Sequence, residues 1–204
     1  MKDFYTLSKV TTWEQVIDKS RFIAIAVPLT SLVQIEKAMQ EIREDYPKAR
    51  HYVYAYRLHD GLIEKASDDG EPQGTGGHPI LDLLQHRNVW NVLLVVVRYF
   101  GGVLLGTGGL LRAYAGTARQ VILETELKKS TLYQLYALRA PYEWFELLKY
   151  QFDQHNWIIA KEDFSEVVKL LVHVPEQEVE LFKKWIDDFT RQQVSYEDLG
   201  FVWG

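Results

Sequence analysis

Nine of the 13 glycines in this 204-residue chain fall between Gly70 and Gly109. Glycine reaches left-handed backbone conformations and tolerates close backbone approach, so a segment this rich in it must hold tight turns or packed crossings. All nine lie in two stretches, Ser67-Asp68-Asp69-Gly70-Glu71-Pro72-Gln73-Gly74-Thr75-Gly76-Gly77-His78-Pro79 and Arg98-Tyr99-Phe100-Gly101-Gly102 through Gly106, Gly108 and Gly109 to Tyr114. The tetrapeptide Gly-Thr-Gly-Gly occurs in both, at 74–77 and 106–109, each time just before an expected helix. Backbone N–H groups converging beside a helix N-terminus make a candidate anion cradle. Known phosphate motifs do not fit. Walker A needs Lys-Ser/Thr after its last glycine, and Leu111 stands where the dinucleotide fingerprint requires glycine. An architectural reading, two tight turns feeding helices close to a sheet, accounts for the same pattern.

The elements around these loops follow from periodicity. Phe22 to Val27 reads as a strand ending at Pro28. Leu32, Ile35, Met39, Ile42 and Tyr46 recur at helical steps, with Ser31 and Gln34 as a capping box and Pro47 as the stop. His51 to Leu58 alternates with aromatics, and Asp60-Gly61 signals a hairpin turn. A short helix is expected over residues 80–86. Val92 to Val97 is an unbroken apolar run, the mark of a strand buried on both faces. The loop from Tyr99 to Gly109 then leads into a helix with Leu110, Leu111, Tyr114, Ala118, Val121 and Ile122 on one face. After Lys128-Lys129-Ser130 the texture changes, and a domain boundary is placed there, giving domains 1–132 and 133–204. Beyond it the strand from Leu135, the helix after Pro141, strands near Trp157 and Val168, the helix after Pro175 and a last strand from Val194 give the order β-α-β-β-α-β, a ferredoxin-like signature.

Composition narrows the function. Without cysteine, disulfide scaffolds, thiolate metal sites and cysteine nucleophiles are excluded. No apolar run approaches the ~18 residues of a membrane span, and the N-terminus lacks a signal-peptide core, so a cytoplasmic protein without membrane association is expected. The net charge of −5 argues against nucleic acid as a partner when read whole. Up to Leu135 there are 16 basic and 15 acidic residues, +1; from Tyr136 there are 7 and 13, −6. The objection therefore falls on the second domain, whose acidic surface suits a protein partner. Most of its helix aromatics, Tyr142, Trp144, Phe145, Phe152, Phe182 and Trp185, are expected in its core.

The candidate groove comprises His51, Asp68, Asp69, Glu71, Gly74, Thr75, Gly76, Gly77, Arg98, Tyr99, Gly101, Gly102, Gly106, Gly108, Gly109, Arg112 and Tyr114. Arg98 and Arg112 would grip phosphate in one groove while Tyr99 and Tyr114 stack on bases. Internal pairing of the arginines with the acidic loop is the alternative. Asp68, Asp69 and Glu71 read either as a Mg²⁺ or general-base site or as turn formers paired with arginine, and the second is preferred. His51 and His78 are the histidines nearest the motifs. No hydrolase elbow and no zinc helix is present; no cofactor, metal or catalytic residue is assigned, and enzymatic activity in the Asp68/Asp69/Glu71 groove is left open as the less favoured reading.

These two stretches, together with Lys19-Ser20-Arg21-Phe22-Ile23-Ala24 and Ala49-Arg50-His51, resemble the hallmarks of the IMPACT/YigZ family over nearly the whole chain. One departure is Gly76, where the family usually has alanine, and added loop freedom is expected from it. The resemblance implies an α+β fold in two domains. The N-terminal one is similar to the second domain of a small-subunit ribosomal protein, of the left-handed βαβ type. The C-terminal one resembles the ferredoxin-like last domain of elongation factor G. It also implies a role in translation, since eukaryotic relatives regulate translation in amino-acid starvation by binding the co-activator of a stress kinase. Three functions follow as expectations: a stress-linked translational regulator binding RNA or the ribosome through the glycine-rich loops, a non-catalytic protein-interaction module, and an enzyme for a small phosphorylated or peptide-like ligand.

Overall fold

The computed structural model describes residues 3–204. The chain divides into two compact units after Lys129, with Asp3 grouping with the second.

In the first unit, strands β1 (Phe4–Leu7), β2 (Thr11–Ile17) and β3 (Ser20–Pro28) precede helix α1 (Leu32–Asp45). Strands β4 (His51–Leu58) and β5 (Ile63–Ser67) follow, then helix α2 (Gly77–His86), strand β6 (Val92–Tyr99), helix α3 (Gly106–Glu124) and strand β7 (Leu127–Ser130). Five strands form an antiparallel sheet in the order β2-β3-β6-β4-β5, and β1 pairs with β7 separately. Side chains alternate across a strand, so the residues of β6 divide by parity. Val92, Leu94 and Val96 pack under α2 and α3 with Phe22, Val53, Ile80 and Tyr114. Leu93, Val95 and Val97 pack under α1 with Ile25, Ile35 and Ile42. Both faces being covered explains why the run carries no polar residue before Arg98.

The expected elements stand, with shifted ends. Ser31 caps α1 by accepting from the Gln34 amide, while Gln34 Oε1 accepts from the amide of Thr30, one residue before the cap. α2 begins at Gly77, three residues before the expected start, because Asp68 satisfies its first amides. α3 begins at Gly106, so the second Gly-Thr-Gly-Gly is the first turn of the helix itself and not a loop before it. Leu111, expected on the buried face of α3, is 45% exposed.

The second unit has β8 (Leu132–Ala140), α4 (Tyr142–Gln154), β9 (Ile158–Phe164), β10 (Val168–Pro175), α5 (Val179–Thr190) and β11 (Ser195–Trp203). β8 starts three residues before the expected Leu135 because Leu132 to Gln134 continue the pairing with β11. The antiparallel sheet order is β11-β8-β10-β9, the ferredoxin-like arrangement. Phe152 and Phe182 are fully buried against Tyr136, Leu170 and Val172; Trp144, Phe145 and Trp185 pack partly onto them, and Tyr142 is exposed.

Gly76 is a packing requirement and not a source of freedom. A Cβ there would meet Val53 Cγ1 at 2.5 Å, far inside contact distance, and Val53 is fully buried in the sheet. Gly76→Ala should cost about 1–3 kcal/mol by overpacking. In the double variant Gly76→Ala/Val53→Ala the loss should be smaller than the sum of the single losses, read from urea unfolding of each protein.

Candidate functional site

The glycine-rich loops meet at the end of the sheet where β3 and β4 begin and β6 stops. Arg21 pairs with Tyr99 and His51 with Arg98 in the strand register. At the centre lies Glu71, its side chain only 4% exposed. Its Oε1 accepts from Arg98 Nη1 at 2.6 Å and from the Tyr114 hydroxyl at 2.8 Å. Three segments are thereby tied to one oxygen: the acidic loop, β6 and α3. Burial, followed by the adjacent carboxylate, raises the pKa of Tyr114 above the ordinary phenol range, so it stays protonated and donates. Arg98 Nη2 reaches Ser20 Oγ at 3.4 Å, which also accepts from the Gly101 amide at 3.2 Å. Phe22 packs edge-on against Tyr114 at 5.3 Å, and the Arg98 guanidinium lies 5.4 Å from the Phe22 ring.

The three acids face different partners. Asp68 accepts from the amides of Gly74 (2.8 Å), Gly76 (2.9 Å) and Gly77 (2.8 Å), closing the turn and capping α2. Burial pushes its pKa up, but those three donors outweigh burial and hold it below the usual carboxylate value. Asp69 accepts from the Tyr52 amide at 2.7 Å and lies 3.7 Å from Arg43. Its carbonyl accepts from His51 Nδ1 at 2.8 Å, which leaves His51 Nε2 toward Glu71 at 3.7 Å. Carboxylates turned to separate protein donors do not converge on a cation, and among the described residues no cluster suited to a metal ion is found.

The arginines do not converge either. Arg98 is buried and bound to Glu71, whereas Arg112 is exposed on α3. Arg98 follows β6 in phase with Val92, Leu94 and Val96, so strand parity turns it inward; Arg112 lies off the buried face of α3. Tyr114 is wholly buried, and Tyr99 is half-buried with its hydroxyl donating to the Pro47 carbonyl at 3.2 Å. Neither is a free stacking platform. His78 is exposed at the start of α2. Thr75 is buried, its hydroxyl donating to the Pro72 carbonyl at 2.7 Å. Gly101 allows a backbone crossing: a Cβ there would fall 2.0 Å from the Lys19 carbonyl carbon. Gly102, Gly106 and Gly108 are exposed, and Gly109 is half-buried beside Leu105.

Residues outside the expected set complete the region. Ser20 is fully buried and links Arg98 to Gly101. The exposed Arg50 guanidinium lies 5.5 Å from the Phe100 ring, as does buried Arg98 on the inner side. A cavity of about 530 Å³ opens beside them, lined by Arg50, His51, Gly70, Glu71, Pro72, Arg98, Phe100, Leu104, Leu105, Gly106, Thr107 and Leu110. Arg57 is a structural counterpart elsewhere in the unit. It is 5% exposed, pairs with Glu64 at 2.7 Å and donates to the Leu84 and Val89 carbonyls at the end of α2.

An antiparallel sheet braced by a buried acid–arginine–tyrosine knot, followed by a ferredoxin-like unit, defines a two-unit α+β protein. The model described as the Impact N-terminal domain matches residues 18–122, and a domain of unknown function, DUF1949, matches residues 138–193. This chain belongs to the IMPACT family. It is 30% identical over 191 residues to the IMPACT family member YvyE of Bacillus subtilis, covering 93% of this chain and 88% of that one. It is 34% identical over 185 residues to the IMPACT family member YigZ of Escherichia coli, covering 89% and 90%. A crystal structure of a hypothetical protein, 31% identical, aligns over 96% of this chain and 97% of its own with a TM-score of 0.62.

Arg98→Ala leaves the Glu71 carboxylate buried without its cation and should cost about 3–5 kcal/mol. Arg98→Met/Glu71→Gln together should cost less than Arg98→Ala alone, measured by chemical unfolding. Asp68 has a lowered folded pKa, so its stabilisation is complete above the unfolded value and is lost as pH falls through the folded one. Asp68→Asn should therefore lower stability at neutral pH by about 1–2 kcal/mol and flatten its decline as pH falls below about 4, read from thermal melts across pH.

Proposed function

We propose that this protein is a translation-associated regulator that acts by binding, its N-terminal unit contacting RNA or an RNA-bearing ribosomal surface. Membership of the IMPACT family supports the regulatory context, because the family resemblance implies translational control in eukaryotic relatives. The observation that carries the binding reading is the charge left over at the end of the sheet once the buried knot is complete. The motif acids Asp68, Asp69 and Glu71 are engaged by protein donors. Lys19, Lys48 and Arg50 are exposed at the same end and form no ion pair among the described residues. Lys19 abuts Gly101, Lys48 follows the Pro47 carbonyl that holds Tyr99, and Arg50 faces Phe100. Exposed cations beside an aromatic ring suit a phosphate backbone with a neighbouring base.

The expected contact is electrostatic and salt-sensitive. Purified ribosomes and a structured RNA should bind the full chain at low ionic strength. Lys19→Gln/Lys48→Gln should lower affinity and reduce the salt slope by about 2, one unit for each phosphate contact removed. Absence of binding at low salt, or a slope unchanged in the double variant, overturns the reading.

A further inference from the structure

The sheet of the second unit packs α4 and α5 against one face. Strand parity sends Tyr136, Leu138, Leu170 and Val172 into the core with Phe152 and Phe182 of those helices. The alternate residues of the central strands fall on the opposite face. They are Leu135, Ala137 and Arg139 of β8 and Lys169, Leu171 and His173 of β10. Arg139 and Lys169 are exposed and the other four half-buried. Two cross-strand rows surround a hollow of about 520 Å³ on this face. Ser195, Arg139, Lys169 and Asp163 make one row, and Glu197, Ala137, Leu171 and Lys161 the next. Ala137 and Leu171 give the hollow an apolar floor, and the charged side chains form its rim.

Arg139 and Lys169 stand directly opposite each other in the register. Like charges so placed destabilise a sheet unless an anion bridges them. Among the described residues neither forms an ion pair, and neither does Lys161, which lies diagonal to Lys169. Asp163 is the neighbour of Lys169 in its row and Glu197 is diagonal to Arg139, yet neither closes a salt bridge with them. From Tyr136 onward there are 7 basic and 13 acidic residues, but every lysine and arginine on the strands β8 to β11 borders this one hollow. One row further along β10, about 7 Å on, His173 lies on the same face. Its ring centroid is 5.6 Å from that of Tyr133.

We propose that this face of the second unit binds single-stranded RNA. Phosphates lie on Arg139, Lys169 and Lys161, one base covers the Ala137–Leu171 floor, and the next stacks on His173. The opposed cations call for an anion that spans both, which a phosphate backbone supplies. The apolar floor and the ring beyond it call for flat apolar surface between the charges. Bases supply that, whereas the carboxylates of an acidic peptide leave the floor bare. Asp163 and Glu197, on the edge strands β9 and β11, flank the path and direct phosphate toward the central pair. A four-stranded sheet with one open face suits unpaired bases, while a duplex keeps its bases stacked inside. The proposal rests on the RNA reading above for its class of ligand and uses neither Lys19 nor Lys48.

The test is an amide NMR titration of the full ¹⁵N-labelled chain at low salt with three probes: a short single-stranded oligouridylate, an RNA duplex of equal length and a poly-glutamate peptide. The single strand should shift the amides of Ala137, Arg139, Lys169 and Leu171, and the other two should bind this face at least about tenfold more weakly. Arg139→Gln/Lys169→Gln should weaken the single strand at least about tenfold. It should also reduce the salt slope at this face by about 1.4, at about 0.7 for each phosphate contact removed. Its unfolding midpoint should hold or rise, since the like-charge pair is gone. His173→Ala should weaken binding at least about fivefold, and His173→Phe should restore it. Shifts on this face that persist in Lys19→Gln/Lys48→Gln support the proposal independently of the first unit. Shifts confined to the first unit leave the contact at Lys19 and Lys48 standing and overturn this one. Equal shifts with the duplex or the poly-glutamate peptide, or undiminished binding by folded Arg139→Gln/Lys169→Gln, also overturn it.

Discussion

A carboxylate removed from water needs donors, and the N-terminal unit is arranged around supplying them to Glu71. The nearest cation is 27 residues away in sequence and the phenol 43. Meeting both demands fixes the acidic loop against β6 and α3 at once. Removing either donor would leave a buried charge partly uncompensated, which is among the costliest defects in a protein interior. Ser20 extends the knot to the first residue of β3, and His51 links it to β4 through the Asp69 carbonyl. Five separate stretches of chain thus converge through polar contacts at the sheet's end, while the apolar layers hold its middle.

Much of the architecture was legible in the sequence because it rests on local periodicity. The unbroken run from Val92 to Val97, the helical steps through Ile35 and Ile42 and the alternation from Val168 to Val174 each report burial directly, although Leu32 at the head of that helical face is 46% exposed. The order of the second unit follows from the same kind of signal, the alternation at Val168 to Val174 together with the helices opened by Pro141 and Pro175. Helix starts were less legible, since they depend on who satisfies the first amides. Asp68 reaches forward to Gly76 and Gly77 and draws α2 back to its glycines, and no window of periodicity registers such a bond.

The site was legible as a set of residues and illegible as a set of roles. Arg98 follows an apolar run and so reads as the point where the strand meets solvent. Yet it keeps the parity of Val92, Leu94 and Val96, and that phase was a usable sign of burial. Arg112 lacks any such sign of pairing, and its place three residues from the end of the glycine tetrapeptide does not bring it into the cavity. Ser20 and Arg50 fell within stretches that carry the family resemblance, but nothing in those stretches assigned them to the groove. Their importance comes from the crossing of β3, β4 and β6, a long-range property of the sheet.

The close crossing of Gly101 over the Lys19–Ser20 peptide has a kinetic meaning. The segment carrying Phe100 is clamped, backbone against backbone, to a turn of the same rigid sheet. A loop held this way loses little conformational entropy when a partner arrives. Were a partner to bind at this face, encounter would be governed by diffusion and charge steering and not by waiting for a loop to order. Affinity differences between partners would accordingly be expressed in how long each one stays.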